Sequence, residues 1–292
     1  MSAKGPSPSF AKGALCIVAS AFGFALMAFF VRLCDDFGEE ISSFQKSFFR
    51  NLVALAIAAF VFAKERAPAA AAPDRKAALL ILGRSVAGCV GIFANFYALS
   101  KIPIGEAMAL NKTAPFFTVL FSWIFLGERA DAKRFAWIAL AFAGAALVMK
   151  PGIGGGSAFA TFCALLGGLG AGVAYTCVRE LGVLRVDGAL IVLAFSAFSC
   201  AASVPFMALD FRPMTTAQVA ILLGAGAGAA LGQFGVTAAY RFAPPRDIAV
   251  YDYSSVVFTA VFGWFFFAQS PDVWSVAGFA AIVAAAWFSR KG

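Results

Sequence analysis

The sequence predicts an all-α polytopic membrane protein of ten transmembrane helices, arranged as two inverted five-helix repeats. Three observations lead there. The first is composition: 62% of the 292 residues are hydrophobic and 13% are charged, with a mean hydropathy of +0.86. A soluble domain carries about 25% charged residues, and this chain has too few polar side chains to cover a water-facing surface. The second is the placement of Lys and Arg along the chain. The third is an internal repeat.

A membrane-crossing helix needs about 20 mainly apolar residues. Runs of that kind, read between charged and Gly/Pro breaks, fall at 13–31, 42–62, 77–99, 104–126, 134–149, 157–178, 188–209, 217–240, 247–268 and 272–289. The first run follows Lys4 and Lys12, as a cleaved signal peptide would. Its apolar stretch is too long for a typical signal, however, and Ala19-Ser20-Ala21 lies inside it instead of after it. It is read as a span.

With the N-terminus placed inside, fifteen of the 23 Lys and Arg fall in inner loops or tails. Four fall outside (Arg32, Lys101, Lys150 and Arg212) and four within spans (Lys46, Arg50, Arg84 and Lys112). Basic loops stay cytoplasmic, so this asymmetry supports ten spans of an inner (plasma) membrane protein with both termini cytoplasmic. The net charge of +8 then reflects topology and contact with anionic membrane lipids. It is no footprint for nucleic acid.

Sliding the chain by 141 residues aligns 93–145 with 234–286 without a gap. Phe117-Thr118, Phe121, Trp123 and Phe125 fall on Phe258-Thr259, Phe262, Trp264 and Phe266, and Pro103 falls on Pro244. Glu106 meets Asp247, Asn111 meets Asp252 and Glu128 meets Gln269. The halves are 1–152 and 153–292, joined by Pro151-Gly152-Ile153-Gly154-Gly155-Gly156. Five spans per half is odd, so the second copy enters the membrane in the opposite sense. Secondary transporters are often built this way, with substrate sites near the midplane between repeats.

Enzyme chemistry finds little here. There is no His, which removes His-based acid–base, nucleophilic and metal sites. The six Cys are scattered singly and read as small apolar packing residues. No Gly-x-x-x-x-Gly-Lys motif is present, so ATP-driven pumping has no support. Asp35-Asp36 with Glu39-Glu40 reads as a solvated outer loop. The expectation is a non-enzyme with no cofactor and no metal.

Ionisable groups at membrane depth are costly and mark function by default. Arg50 and Arg84 each lie about 10–12 Å into a span, at about 1.5 Å per residue. Lys112 and Asn111 lie inside the fourth span, ahead of Pro115, which would kink it. Glu106 sits near that span's outer mouth. Asp252, flanked by Tyr251 and Tyr253, is the counterpart of Asn111 and the strongest single candidate, with Arg50, Arg84 or Lys112 as its partner. Asn95 and Tyr97 are added as substrate contacts, and Glu106 and Asp252 as coupling or gating carboxylates. Tyr175 and Gln233 are weaker candidates. Lys46, Arg50, Arg84 and Lys112 outnumber Glu106 and Asp252 by two charges. A bound anion would balance them, since an uncompensated buried charge is expensive. Gly224, Gly228 and Gly232, and Gly168 and Gly172, form small-residue faces for close helix packing.

The stretch from Glu106-Ala107-Met108-Ala109-Leu110-Asn111, through Pro115-Phe116-Phe117-Thr118, to Phe125-Leu126-Gly127-Glu128 resembles the drug/metabolite transporter superfamily, and within it the EamA family. The second copy departs at Ala268-Gln269, where that family often has Gly-Glu. The resemblance implies a central cavity lined by spans one to four and six to nine, with spans five and ten peripheral. The expected function is alternating-access export of a small polar metabolite, an organic anion or amino-acid-like zwitterion. A proton or a counter-substrate would be the coupling partner. A carrier for organic cations or drugs, and a channel, remain as alternatives.

Overall fold

In the computed structural model of this chain, residues 10–39, 41–65, 73–99, 101–102, 108, 110–149, 157–268 and 270–289 are described. Among them there is no strand, and the elements are α1 (Phe10–Cys34), α2 (Ser43–Glu65), α3 (Arg75–Leu99), α4 (Ala114–Leu126), α5 (Ala132–Met149), α6 (Ala158–Val183), α7 (Gly188–Leu209), α8 (Thr216–Phe242), α9 (Pro245–Phe267) and α10 (Val273–Ser289). Eight are long and apolar enough to cross a membrane, whereas α4 and α10 are shorter apolar helices.

Local sequence explains where these helices begin and end. Thr215 and Gln218 cap α8 reciprocally: Gln218 N donates to Thr215 Oγ1 (3.2 Å) and Thr215 N to Gln218 Oε1 (3.0 Å). Asp187 caps α7 by accepting from Ala189 N at 2.8 Å. The C-terminal residue after α4 is Gly127, in the left-handed region at φ +67°, where glycine pays no Cβ penalty. Its repeat counterpart after α9 is Ala268, held at φ +53°.

Two expected spans are interrupted. The run 104–126 was expected as one helix. Its residues 103–107 and 109 fall outside the described residues, and the chain turns at Lys112-Thr113 before α4 starts at Ala114, with Pro115 in its first turn. Pro115 has no N–H and cannot continue a preceding turn. The run 247–268 is broken as well: an α turn at Pro245–Ile248 passes into a 3₁₀ stretch, Ala249–Tyr253, before the helix Ser254–Phe267. The two breaks lie 141 residues apart, at the same place in the sequence repeat.

Helix packing runs through small residues. The dominant neighbours are α1 with α8, α3 with α6, α5 with α10, and α2 with α7. A Cβ on Gly23 of α1 would stand 2.6 Å from Gly232 N of α8. One on Gly170 of α6 would stand 2.7 Å from Ala87 O of α3 and 2.9 Å from the Gly91 Cα. Gly144 and Gly278 bring α5 and α10 together in the same way. Such contacts let backbones approach where apolar burial supplies no net drive. The outward surface is strongly apolar, with Phe60, Phe125, Leu209 and Val273 exposed. The polar residues lie inside: Ser20, Gln45, Ser47, Arg50, Asn51 and Arg84 are all buried.

Ion pairs fasten the helix ends. Lys46 at the start of α2 meets Asp35 at 2.5 Å. At the opposite end of the bundle, Arg179 of α6 meets Glu128 at 2.7 Å and donates to Tyr240 O of α8 at 3.0 Å. Ser122 donates to the other Glu128 oxygen at 2.5 Å. Arg134 meets Asp247 at 2.9 Å.

Candidate functional site

The two helix breaks face each other. Lys112, at the turn before α4, donates to Asp252 Oδ2 at 3.1 Å and to Ser255 Oγ at 2.5 Å. Tyr253 reaches back, its hydroxyl donating to Lys112 O at 2.9 Å. That carbonyl is one a continuous helix would have used internally. Each break therefore supplies what the other lacks: a carboxylate for the ammonium, and a hydroxyl donor for the freed carbonyl. The Lys112 and Asp252 side chains keep 19% and 13% of their exposure, so the pair is not sealed off completely.

A second charged group lies between α2, α3 and α7. Arg50 and Arg84 are buried, at 6% and 2% exposure. The Arg84 guanidinium lies flat over the Phe195 ring, 3.5 Å from its centre, and Nη2 donates to Gln233 Oε1 of α8 at 2.6 Å. Stacking and one hydrogen bond fix the fork. A Cβ on Gly88 would press on both Phe195 and Arg84 Nη1, so glycine there makes the room. Arg50 lies beside Cys89 and Tyr175 as electrostatic neighbours, and Arg84 lies near enough to Arg50 and Tyr175 to feel both. Among the described residues neither arginine has an ion-pair partner, and the Nε of each has no hydrogen-bond acceptor.

Polar side chains surround them. Asn51 donates to Ser199 Oγ of α7 at 2.9 Å and to Ser47 O at 2.9 Å. Its Oδ1 is buried without a partner, as is Ser196 Oγ. Tyr175 is also an electrostatic neighbour of Asp252, so one tyrosine lies in the field of both charged groups. Among the described residues, no three of Asp, Glu or Cys gather as a metal site.

The other sequence-predicted residues divide. Asn95 and Asn111 converge on Gly167 of α6, whose added Cβ would stand 3.0 Å from Asn95 Cβ and 2.9 Å from Asn111 Nδ2. Tyr251 points elsewhere: its hydroxyl donates to Ala286 O of α10 at 2.9 Å and its ring meets Phe10 edge-on. Tyr97 stands on the outer surface, 42% exposed, edge-on to Phe159. Glu106 lies outside the described residues.

Comparison with known proteins fits this geometry. A model of the EamA-like transporter family matches residues 11–150. The pseudopaline exporter CntI of Pseudomonas aeruginosa is 29% identical over 274 residues, covering 94% of each chain. A riboflavin transporter of Rhizobium johnstonii is 30% identical over 213 residues, covering 72% of this chain and 69% of its own. The chain belongs to the EamA-like transporter family. A solved protein structure shares the fold with a TM-score of 0.77 at 18% identity, over 94% of this chain and 98% of its own.

Sequence reading missed several residues that lie deep in the bundle of this EamA-like transporter. Phe195, Ser196 and Ser199 sit in an unremarkable apolar run, and only the packing of α7 against α2 and α3 brings them to the arginines. Gln233 was visible only as a polar residue inside an apolar span. The Glu128–Arg179 pair was hidden because Arg179 reads as a loop residue, while α6 runs on to Val183.

Proposed function

We propose that this transporter exports a small polar metabolite, an organic anion or amino-acid-like zwitterion, across the inner membrane by alternating access. The two buried arginines, which have no carboxylate partner among the described residues, carry the reading, because a site with surplus buried positive charge favours an anionic occupant. Tyr175 lies in the field both of these arginines and of Asp252 in one of the two interrupted helices, and interrupted helices are the usual construction around transporter binding sites. Export is favoured by the likeness to an exporter, and a metabolite substrate by that and the riboflavin transporter.

The ten-span inverted repeat, 1–152 and 153–292, is part of this proposal. Helix pairing supports it. A pseudo-two-fold that exchanges α1 to α5 with α6 to α10 turns the α1–α8 pair into α6–α3, and the α1–α9 pair into α6–α4; both members of each exchange are in contact. It maps α2–α7 and α5–α10 onto themselves, and those pairs are in contact too. The excess of basic residues in alternate loops supports cytoplasmic placement of both termini.

In this scheme the halves rock around Arg50, Arg84 and the Lys112–Asp252 bridge, while Asp252 and Glu106 serve coupling to a proton or counter-substrate. The test is efflux from proteoliposomes loaded with a bacterial metabolite extract, followed by mass spectrometry. Carboxylate-bearing metabolites are expected to leave with saturable rates, and Arg50→Ala and Asp252→Asn to abolish that loss while the protein stays folded. Wild-type rates in both variants would remove the assigned site. Non-saturating conductance would make the protein a channel.

A further inference from the structure

Charge arithmetic around the site sharpens the substrate class, and the argument rests on the transporter reading above. Of the four positive charges expected inside the membrane, two are settled locally. Lys46 is paired with Asp35 at 2.5 Å, and Lys112 with Asp252 at 3.1 Å. Among the described residues, Arg50 and Arg84 are left over. They come from different helices and are held separately, Arg84 by Phe195 and Gln233 and Arg50 beside the α2–α7 contact of Asn51 with Ser199. Each keeps an unpartnered Nε although each is more than nine-tenths buried.

A single monoanion neutralises one of them and leaves the other exposed to its repulsion. Two guanidinium forks on separate supports suit two planar carboxylates, each taken in a bidentate pair. We propose that the site binds a small dicarboxylate, one carboxylate on Arg50 and the other on Arg84. Tyr175, an electrostatic neighbour of both arginines, then lies beside the ligand.

The experiment compares thermal stabilisation of the purified full-length protein in detergent by succinate, glutarate, butyrate, alanine and inorganic phosphate, at constant ionic strength and neutral pH. Binding to the folded state raises apparent stability with ligand concentration. A second charge-assisted pair is worth about tenfold or more in affinity. Succinate or glutarate is therefore expected to act at a tenfold or more lower concentration than butyrate. Arg50→Gln and Arg84→Gln should each remove that advantage, so that succinate acts no better than butyrate, and Arg50→Lys should restore part of it.

Equal responses to succinate, glutarate and butyrate overturn the inference, as does a dicarboxylate preference that survives both Gln variants. A stronger response to phosphate than to any dicarboxylate also overturns it. The efflux assay separates this failure from that of the function itself: Arg50-dependent loss of monocarboxylates or zwitterions keeps the transporter reading while ruling out a dicarboxylate.

Discussion

Two charged groups lie inside this helical bundle, and they differ in one respect. Lys112 and Asp252 hold each other, with Ser255 completing the contact. Arg50 and Arg84 hold a ring, an amide and each other's field, but no carboxylate among the described residues. The first group is electrically closed and needs nothing from outside. The second carries a surplus of positive charge in a poorly hydrated place, where charge is expensive to maintain. The lesson is that burial alone does not mark a binding site. A buried pair can serve cohesion or gating, whereas a buried surplus is where the proposed ligand would bind.

The largest effect is expected where the closed pair is opened. Asp252→Asn leaves the Lys112 ammonium without its counter-charge and should cost about 2–3 kcal/mol, below the loss for a fully buried pair because both side chains keep some solvent. Thermal or denaturant unfolding in detergent reads it. The double variant Lys112→Met/Asp252→Leu should lose less than the single one. A double variant that loses more would mean that the cohesion comes from shape and not from charge.

A smaller change is expected at the open pair. Arg84→Met removes a charge that no described residue balances, so ligand-free stability should stay within about 1 kcal/mol of wild type, while efflux falls by tenfold or more. A loss of 3 kcal/mol or more without ligand would make Arg84 a structural residue and erase the contrast. The smallest effect belongs to the rim. Lys46→Met, which breaks the contact with Asp35 near the start of α2, should cost about 0.5 kcal/mol and leave efflux unchanged. If it stops transport, the charge count that isolates the two arginines is incomplete.

Most helices were legible because an apolar run between breaks is a strong signal and membrane helices satisfy their own backbone. The interruptions were half legible. Pro115 announced the first. The second, Ala249-Val-Tyr-Asp-Tyr253, contains neither Pro nor Gly and reads as ordinary helix; only the repeat offset placed Asp252 opposite Asn111. Asp252 was expected to pair with Arg50, Arg84 or Lys112, and sequence had no means of choosing among them. The facing of the two breaks makes the choice. Arg84 and Gln233 are 149 residues apart in sequence, and their contact depends on how α3 and α8 pack around the core. Tyr97 lies apart from these groups, 42% exposed and edge-on to Phe159.

Ala268 has a use beyond the site. The first half ends its interrupted helix on Gly127, but the second half puts an alanine into the same left-handed backbone. A left-handed alanine costs about 1–2 kcal/mol, partly offset because glycine is floppier when unfolded. The chain thus carries mutational slack at a known address. Ala268→Gly should add about 0.5–1 kcal/mol without touching a charged residue, offering a stabilised background in which the damaging variants above can be purified and compared.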